Sequence, residues 1–378
     1  VYVGWLSGSV SAALLLLLAA LAIPGPAVGA EKLDLPEGLS LWQKSVSIRT
    51  GFGYNDNVTL SSFNPVGSPF VQVSADIMFF RLPWNNWQFT FFANGSDARY
   101  LNADTEVNND QHAIAVAQLT RFLGRDWKSI STLQYLFLNQ VMDVSADYNT
   151  PARQEVFAQG ITGTQGVRKE IGRYWGEANF SVSRYFVRQP FDSYWQGGPE
   201  LKLGRTYGSG SEAYLSYQIA PIYYDTRQQA DADGAPVPGT HLRFLPQTVG
   251  ITWQHHWDQE RRWRCLTQLT YSFSQDNGSG YYDYAQYLLS EQLRFRPAKW
   301  DFSAQVALAY YDFPNQQVDL AGSGARHRTA VRMTLRAERV LSSHWKIYAQ
   351  YDYDRSLSND AFDQYSANAG SAGIEFSF

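Results

Sequence analysis

The chain has 378 residues and a formal net charge of −4, because 35 acidic residues slightly outnumber 31 basic ones. Its single cysteine, Cys265, excludes an intrachain disulfide framework and a cysteine-ligated metal cluster. No run of basic residues supports nucleic-acid binding. Although 44% of the residues are hydrophobic, the mean hydropathy is mildly polar. This combination favours a barrel in which alternate residues face lipid and water.

The N-terminal segment differs from the rest of the chain. Residues 11–23 read SAALLLLLAALAI, which is typical of a secretory signal peptide, although no Lys or Arg precedes the run. Pro24 and Pro26 stop a helix there, and the run is shorter than the roughly 20 residues that span a bilayer. We predict a signal peptide at 1–30, a short periplasmic segment at 31–44 and a transmembrane barrel at 45–378.

A short turn followed by tryptophan recurs along the chain. These tryptophans are Trp87, Trp127, Trp175, Trp263, Trp300 and Trp345. Such a repeat could indicate propeller blades or a helical solenoid. The segments between the turns alternate with period two, which favours strands instead. In the segment that begins at Trp300, for example, Phe302, Ala304 and Val306 share one face, whereas polar residues occupy most of the other.

The predicted strands are too long for a soluble β-sandwich, and their ends carry aromatic residues, as two membrane interfaces require. We therefore predict an all-β fold, a transmembrane up-and-down antiparallel β-barrel of about 16 strands, with 14 or 18 as alternatives. Short periplasmic turns and longer extracellular loops would join them. The predicted spans are 45–54, 69–81, 87–100, 111–122, 127–142, 155–170, 175–188, 197–205, 211–225, 244–257, 263–275, 284–296, 300–313, 327–340, 345–357 and 364–378. The stretch from Tyr194 to Tyr224 is the hardest to divide into strands.

The chain ends with an alternating apolar pattern. Ile374, Phe376 and the terminal Phe378 resemble the signal that the barrel-assembly machinery recognises in outer-membrane proteins. This resemblance implies a bacterial outer-membrane location with both termini in the periplasm. The partners expected there are membrane lipid and lipopolysaccharide. The tryptophans of the turns would then form a girdle at the periplasmic interface.

Three arginines mark the predicted lumen. Arg328, Arg332 and Arg336 share one strand face, and an arginine facing lipid at mid-bilayer costs about 2–4 kcal/mol. They could form an anion-attracting ladder, or they could pair within the wall, which we favour. Hairpin geometry places Arg332 near Asp352 and Asp354. The predicted pore-lining set is Arg328, Arg332, Arg336, Asp352, Asp354, Arg296, Asp301 and Arg264.

Other features give weak signals. His255 and His256 are adjacent and point to opposite faces of a strand, so they cannot chelate together. No nucleophile elbow or HExxH motif is present. The residues from Asp276 to Asp283 could form a calcium loop, but they lack EF-hand spacing and a Gly-rich turn is favoured. We predict no enzyme activity, no cofactor and no bound metal.

Two segments carry a family resemblance. GFGYNDNV at Gly51–Val58 and YDYDRSLSN at Tyr351–Asn359, with the terminal Phe, resemble the outer-membrane β-barrel porin family of poorly characterised proteins. Many of its members are encoded beside polysaccharide export systems. The resemblance implies a channel or export role without fixing a substrate.

Two functions remain open. The first is a channel for passive or substrate-specific passage of small polar solutes or saccharides. The alternative is a non-conducting structural, assembly or polysaccharide-export barrel that acts with a partner. For that alternative, inward aromatics such as Phe92, Tyr311 and Tyr348 could plug the lumen or stack on sugar rings. Glu291 falls on the predicted lipid face, and a bulge would move it inward.

Overall fold

The computed structural model describes residues 41–101, 107–143, 153–188, 190–208, 210–318 and 324–378. The predicted signal peptide and residues 31–40 lie outside them. The strands are β1 (Trp42–Asn55), β2 (Ser68–Trp84), β3 (Trp87–Tyr100), β4 (Asn109–Phe122), β5 (Trp127–Asp143), β6 (Arg153–Ile171), β7 (Tyr174–Val187), β8 (Tyr194–Tyr207), β9 (Ser211–Ile219), β10 (Ile222–Tyr224), β11 (Arg243–His256), β12 (Trp263–Asp276), β13 (Tyr284–Phe295), β14 (Trp300–Gln317), β15 (Ala325–Val340), β16 (Trp345–Ser358) and β17 (Tyr365–Ser377). A 3-10 turn, Ala361–Asp363, precedes β17.

These strands form one closed antiparallel barrel. Each strand pairs with its neighbours in sequence, and β17 pairs with β1 from Ser47 opposite Ser377 to Asn55 opposite Ala369. β9 and β10 together fill one position, because both pair with β8 and β11 in a single continuous register. The interruption falls at Pro221, which has no backbone N–H to donate. The barrel therefore has the predicted 16 strands, and β1 begins three residues before the predicted position 45.

The connections at the two rims differ in length. One rim carries tight turns such as Asn85-Asn86, whose φ angles of 49° and 63° give a two-residue hairpin turn of type I′. The other rim carries longer segments, among them residues 56–67 and 225–242. This asymmetry in length confirms the prediction from the sequence.

Side chains alternate between the two faces of the wall, apart from register shifts at Arg81–Trp84 and Phe313–Gln317. On β14, for example, Val306, Leu308 and Tyr310 lie outward and are about 40% exposed. Aromatic rings border this apolar band at both ends. Trp263, Phe295 and Phe302 are in cross-strand register at the short-turn rim, and Tyr271, Tyr287 and Tyr310 are in register towards the other rim. An exposed apolar band between two aromatic belts on a closed barrel is what a lipid bilayer requires. The chain is a transmembrane β-barrel. Among the described residues, no helix is long and apolar enough to span a bilayer.

The longer connections pack against one another. Arg227, in the segment 225–242, is buried between the rings of Tyr224 and Tyr282, with its guanidinium 5.0 and 4.6 Å from their centroids. Ser279 Oγ donates a 2.9 Å hydrogen bond to the carbonyl oxygen of Ala230 in the same segment. These contacts order the rim over β10–β13.

Candidate functional site: the inner wall of the barrel

One side of the inner wall carries a charged network. We call the inward residues of β1 and β14–β17 the charged face. Glu375 is 5% exposed and lies 2.6 Å from Lys346 Nζ and 3.3 Å from Arg49 Nε. Arg49 also pairs with Asp76 of β2. The charges of this face therefore compensate one another within the wall.

The three predicted ladder arginines lie on the charged face, but they are engaged by neighbouring side chains. Arg332 lies opposite Asp354 in register, and its Nε is 3.2 Å from the carboxylate. Arg336 Nε lies 2.6 Å from Glu338, and Arg328 donates to Ser356 Oγ at 2.8 Å. These contacts favour pairing over a free ladder. The side chain of Arg332 is nevertheless 65% exposed to the lumen.

The remaining predicted pore-lining residues also have polar partners. Asp352 accepts 2.7 Å hydrogen bonds from Thr334 and Gln350 rather than pairing with Arg332. Arg264 donates to the side-chain oxygen of Gln254 at 2.9 Å.

The hairpin between β13 and β14 brings Arg296 to 3.1 Å from Asp301, as predicted. Arg294 was missed, although it lies 2.5 Å from the same carboxylate. Its inward parity on β13 was the signal that could have identified it.

Trp175 does not belong to the predicted tryptophan girdle at the membrane interface. It is 4% exposed and faces the lumen, with Arg168 stacked 3.9 Å from its ring centroid. A Cβ atom on Gly204, opposite it in register, would overlap the indole, so the glycine gives the ring room to lie flat on the wall. Tyr174 takes the outward position and is 60% exposed. The prediction was wrong because it relied on the Trp motif alone. Trp175 shares its strand face with the polar residues Glu177, Asn179 and Ser181, and that face lines the lumen.

The other predicted girdle residues lie on the outer face. Trp127, Trp300 and Trp345 are 39–45% exposed, and Trp87 and Trp263 are half-buried. Ile374, Phe376 and Phe378 also face outward, and the Phe376 ring lies 4.8 Å from that of Trp345. Their role as an assembly signal stays a prediction.

Glu291 lies on the lipid-facing surface without a bulge. β13 keeps its register with both neighbours, so Glu291 stays on the outer face between Thr267 and Val306. Its carboxylate accepts hydrogen bonds from Thr267 Oγ1 at 2.6 Å and Cys265 Sγ at 2.7 Å. A local hydrogen-bonded group, rather than inward rotation, accommodates this residue in the apolar band.

Opposite the charged face, a different surface lines the lumen. A cavity of about 310 Å³ is lined by inward side chains of β5–β9, most of which end in amides or hydroxyls. We call this surface the amide–hydroxyl patch; it consists of Gln134, Thr162, Thr164, Asn179, Ser181, Ser183, Tyr185, Gln196, Glu200, Gln218 and Ala220. Glu200 is its one charged member. It lies 2.9 Å from Lys202 and accepts a 3.0 Å hydrogen bond from Asn179.

Tyr185, a member of the patch, belongs to a row of three tyrosines on the side of the longer connections. Tyr185, Tyr194 and Tyr224 lie opposite one another in register, one step beyond Ser183 and Gln196. The first two rings are stacked with centroids 4.8 Å apart, and the third follows at 5.3 Å. We call them the tyrosine row. The sequence predicted neither the amide–hydroxyl patch nor the tyrosine row, because their residues come from separate strands and form no motif along the chain.

The weaker sequence hypotheses find little support. Asp276 caps its own turn, with its carboxylate accepting backbone N–H groups of Gly278, Gly280 and Tyr282 at 2.7–3.0 Å. This arrangement is that of a Gly-rich turn. Among the described residues, no group of three or more His, Cys, Asp or Glu side chains is placed to hold a metal ion.

No protein-family model and no curated protein matches the chain. Solved structures of outer-membrane proteins are similar to it in fold at very low identity. OccAB1 of Acinetobacter baumannii has 9% identity and a TM-score of 0.44, over 89% of this chain and 96% of that one. An anion-selective porin from Comamonas acidovorans has 10% identity and a TM-score of 0.42, over 89% and 99%. A bacterial polysaccharide outer-membrane secretin has 7% identity and a TM-score of 0.40, over 88% and 97%. These values concern the barrel fold alone.

Proposed function

We propose that the barrel is a water-filled channel of the bacterial outer membrane for the passage of small polar solutes. The observation that carries this proposal is the composition of the inner wall, where polar side chains project inward from both the charged face and the amide–hydroxyl patch. Barrels of 16 strands are wide enough to leave an aqueous channel when their interior is polar. The wall chemistry therefore suits hydrated solutes rather than apolar ones.

The inward aromatics do not argue for a plug of the lumen. Tyr348 is 4% exposed and lies over Gly51, so its ring is part of the wall. Tyr311 accepts a 2.7 Å hydrogen bond from Gln286 of the neighbouring strand. Phe92, which is 38% exposed, lies beside Val116 on the same wall. We therefore favour a channel over a non-conducting barrel that acts with a partner.

Single-channel recording tests the proposal. The full chain is folded in detergent, its folded state is checked by heat-dependent migration on a gel, and it is inserted into a planar bilayer. We expect stepwise openings, and a salt gradient then gives the ion selectivity. A correctly folded barrel that never conducts would overturn the channel and favour the partner-dependent alternative.

A further inference from the structure

We propose that the amide–hydroxyl patch and the tyrosine row together form a binding site for neutral oligosaccharides. The proposal rests on the proposed function in one respect, since solutes must be able to enter the lumen. It adds a ligand class and a location to that function.

The patch holds hydrogen-bonding capacity that the protein leaves unused. Across the described residues, six of its polar side chains make no hydrogen bond to another protein group: Gln134, Thr164, Ser181, Tyr185, Gln196 and Gln218. Each amide offers two donors and one acceptor site, and each hydroxyl offers both functions. Such a set can pair with sugar hydroxyls acting as donors or as acceptors.

These groups are arranged in rows around the wall. Gln134 and Gln196 lie at the two ends of one row on four neighbouring strands, and between them the hydroxyls of Thr162 and Ser183 hydrogen-bond each other at 2.8 Å. Thr164 and Ser181 form the next row towards the short-turn rim. Neighbouring strands are about 4.8 Å apart, so each row presents polar groups at regular intervals along the perimeter. A chain of sugar units lying along the wall would meet several of them at once.

The tyrosine row supplies the apolar partner that a sugar ring also needs. A pyranose has polar edges and a face of C–H groups, and that face packs on aromatic rings. A Cβ atom on Gly160 would lie 2.6 Å from Tyr185, so the glycine allows this ring to lean over the wall. All three side chains are half-buried, so part of each remains accessible to a ligand. Apolar rings beside converging polar groups are the usual composition of a small-molecule site.

Charge distinguishes neutral from ionic ligands here. Glu200 is the one charged side chain that lines the cavity, and its pairing with Lys202 compensates it. No cation lining the cavity is left to attract a carboxylate or a phosphate among the described residues. The arrangement therefore favours uncharged saccharides.

Binding can be measured independently of conductance. The full chain, folded in detergent micelles, is titrated calorimetrically with maltohexaose, cellohexaose and xylohexaose, and with hexagalacturonate as the charged comparison. We expect at least one neutral hexasaccharide to bind and hexagalacturonate to bind more weakly. Removing two amides with Gln134→Leu/Gln196→Leu should weaken binding by at least about fivefold, because each net hydrogen bond contributes about 0.5–1.5 kcal/mol.

Matched variants distinguish a loss of ligand binding from a loss of folding. Tyr185→Ala should weaken binding by about tenfold, and Tyr185→Phe should keep most of it because the ring remains. Gln305→Leu alters an inward amide of β14 outside the cavity and should leave binding unchanged. A folded barrel that binds none of the neutral probes, or binds them equally in the double variant, would overturn the proposal. Conductance without binding would leave the channel intact, whereas binding without conductance would overturn the channel alone.

Discussion

The charged face and the amide–hydroxyl patch line the same lumen but use their polar groups in different ways. On the charged face, Lys346 and Arg49 both contact the carboxylate of Glu375, so these charges interact with one another within the wall rather than with solutes. On the patch, Gln134, Gln196 and Gln218 make no protein hydrogen bond among the described residues. The comparison teaches that charge in a barrel can serve stability, while uncharged groups remain available to solutes.

The largest expected effect comes from breaking the charged network. Glu375→Ala removes the carboxylate that Lys346 and Arg49 share, although Asp76 still pairs with Arg49. Losing two charge-assisted contacts of about 1.5 kcal/mol each should cost about 3 kcal/mol of unfolding free energy. The measurement is the guanidinium midpoint of the folded barrel in micelles. The matched change on the patch, Gln196→Ala, removes no protein hydrogen bond and should cost below about 0.5 kcal/mol. Equal losses in both variants would contradict the comparison.

A second variant tests how Gly204 of β8 positions the ring of Trp175 against the wall. Gly204→Val would displace Trp175 from the wall, and overpacking of this kind costs about 1–3 kcal/mol. Quenching of tryptophan fluorescence by iodide should increase, because the indole would enter the lumen. Gly163→Val is the control, since a Cβ at Gly163 meets nothing within 4 Å. An unchanged denaturation midpoint in Gly204→Val would show that the ring does not depend on the glycine.

A third prediction concerns ion selectivity. Arg332 is the most exposed of the three ladder arginines, and Arg332→Ala leaves the charge of Asp354 facing the lumen. The reversal potential should shift towards cations. A unit charge at 4 Å in water contributes about 1 kcal/mol, which limits the change in permeability ratio to about fivefold. Arg332→Ala/Asp354→Ala should return the potential close to the parent value, and a double variant that stays cation-selective would argue against pairing.

The smallest effect is a pH dependence at the end of β7 that adjoins the longer connections, where Arg184 pairs with Asp225. A bidentate hydrogen bond from Arg184, at 2.8 and 2.5 Å, holds the pKa of Asp225 below its usual range. A carboxyl with a lowered pKa in the folded state adds stability above its unfolded pKa. That contribution is lost as pH falls through the folded pKa.

Because Asp225 is partly exposed, the contribution should stay below about 1 kcal/mol. Unfolding midpoints of the parent and Asp225→Asn should therefore differ at pH 6. They should converge below the folded pKa of the aspartate. A constant difference across this range would contradict the assignment.

The barrel was predictable because lipid and water impose a period of two on every strand. That period fixed the strand count and the inward direction of the arginines, and hairpin turns fixed pairs such as Arg332–Asp354 and Arg296–Asp301. The prediction for Trp175 was wrong because the local turn-and-tryptophan motif was given more weight than the inward–outward alternation of β7. The parity of Glu177, Asn179 and Ser181 places all of β7's odd positions in the lumen.

The amide–hydroxyl patch could not be predicted in the same way. Its members come from five strands, and a cavity depends on which side chains meet across the sheet rather than along it. Common residues such as Gln, Ser and Thr give no local signal of function. Only the closed register shows that Gln134 and Gln196 share a row.

The glycines beneath the inward rings have a consequence for the width of the lumen. Trp175 lies over Gly204, Tyr185 over Gly160, Tyr348 over Gly51 and Phe70 over Gly53. In each pair, the volume of a large ring occupies the space that a neighbouring side chain would have filled. At these four positions the ring therefore lies along the wall instead of projecting into the lumen. A glycine-to-valine change at any of them would push the ring inward and narrow the lumen locally without adding any charge.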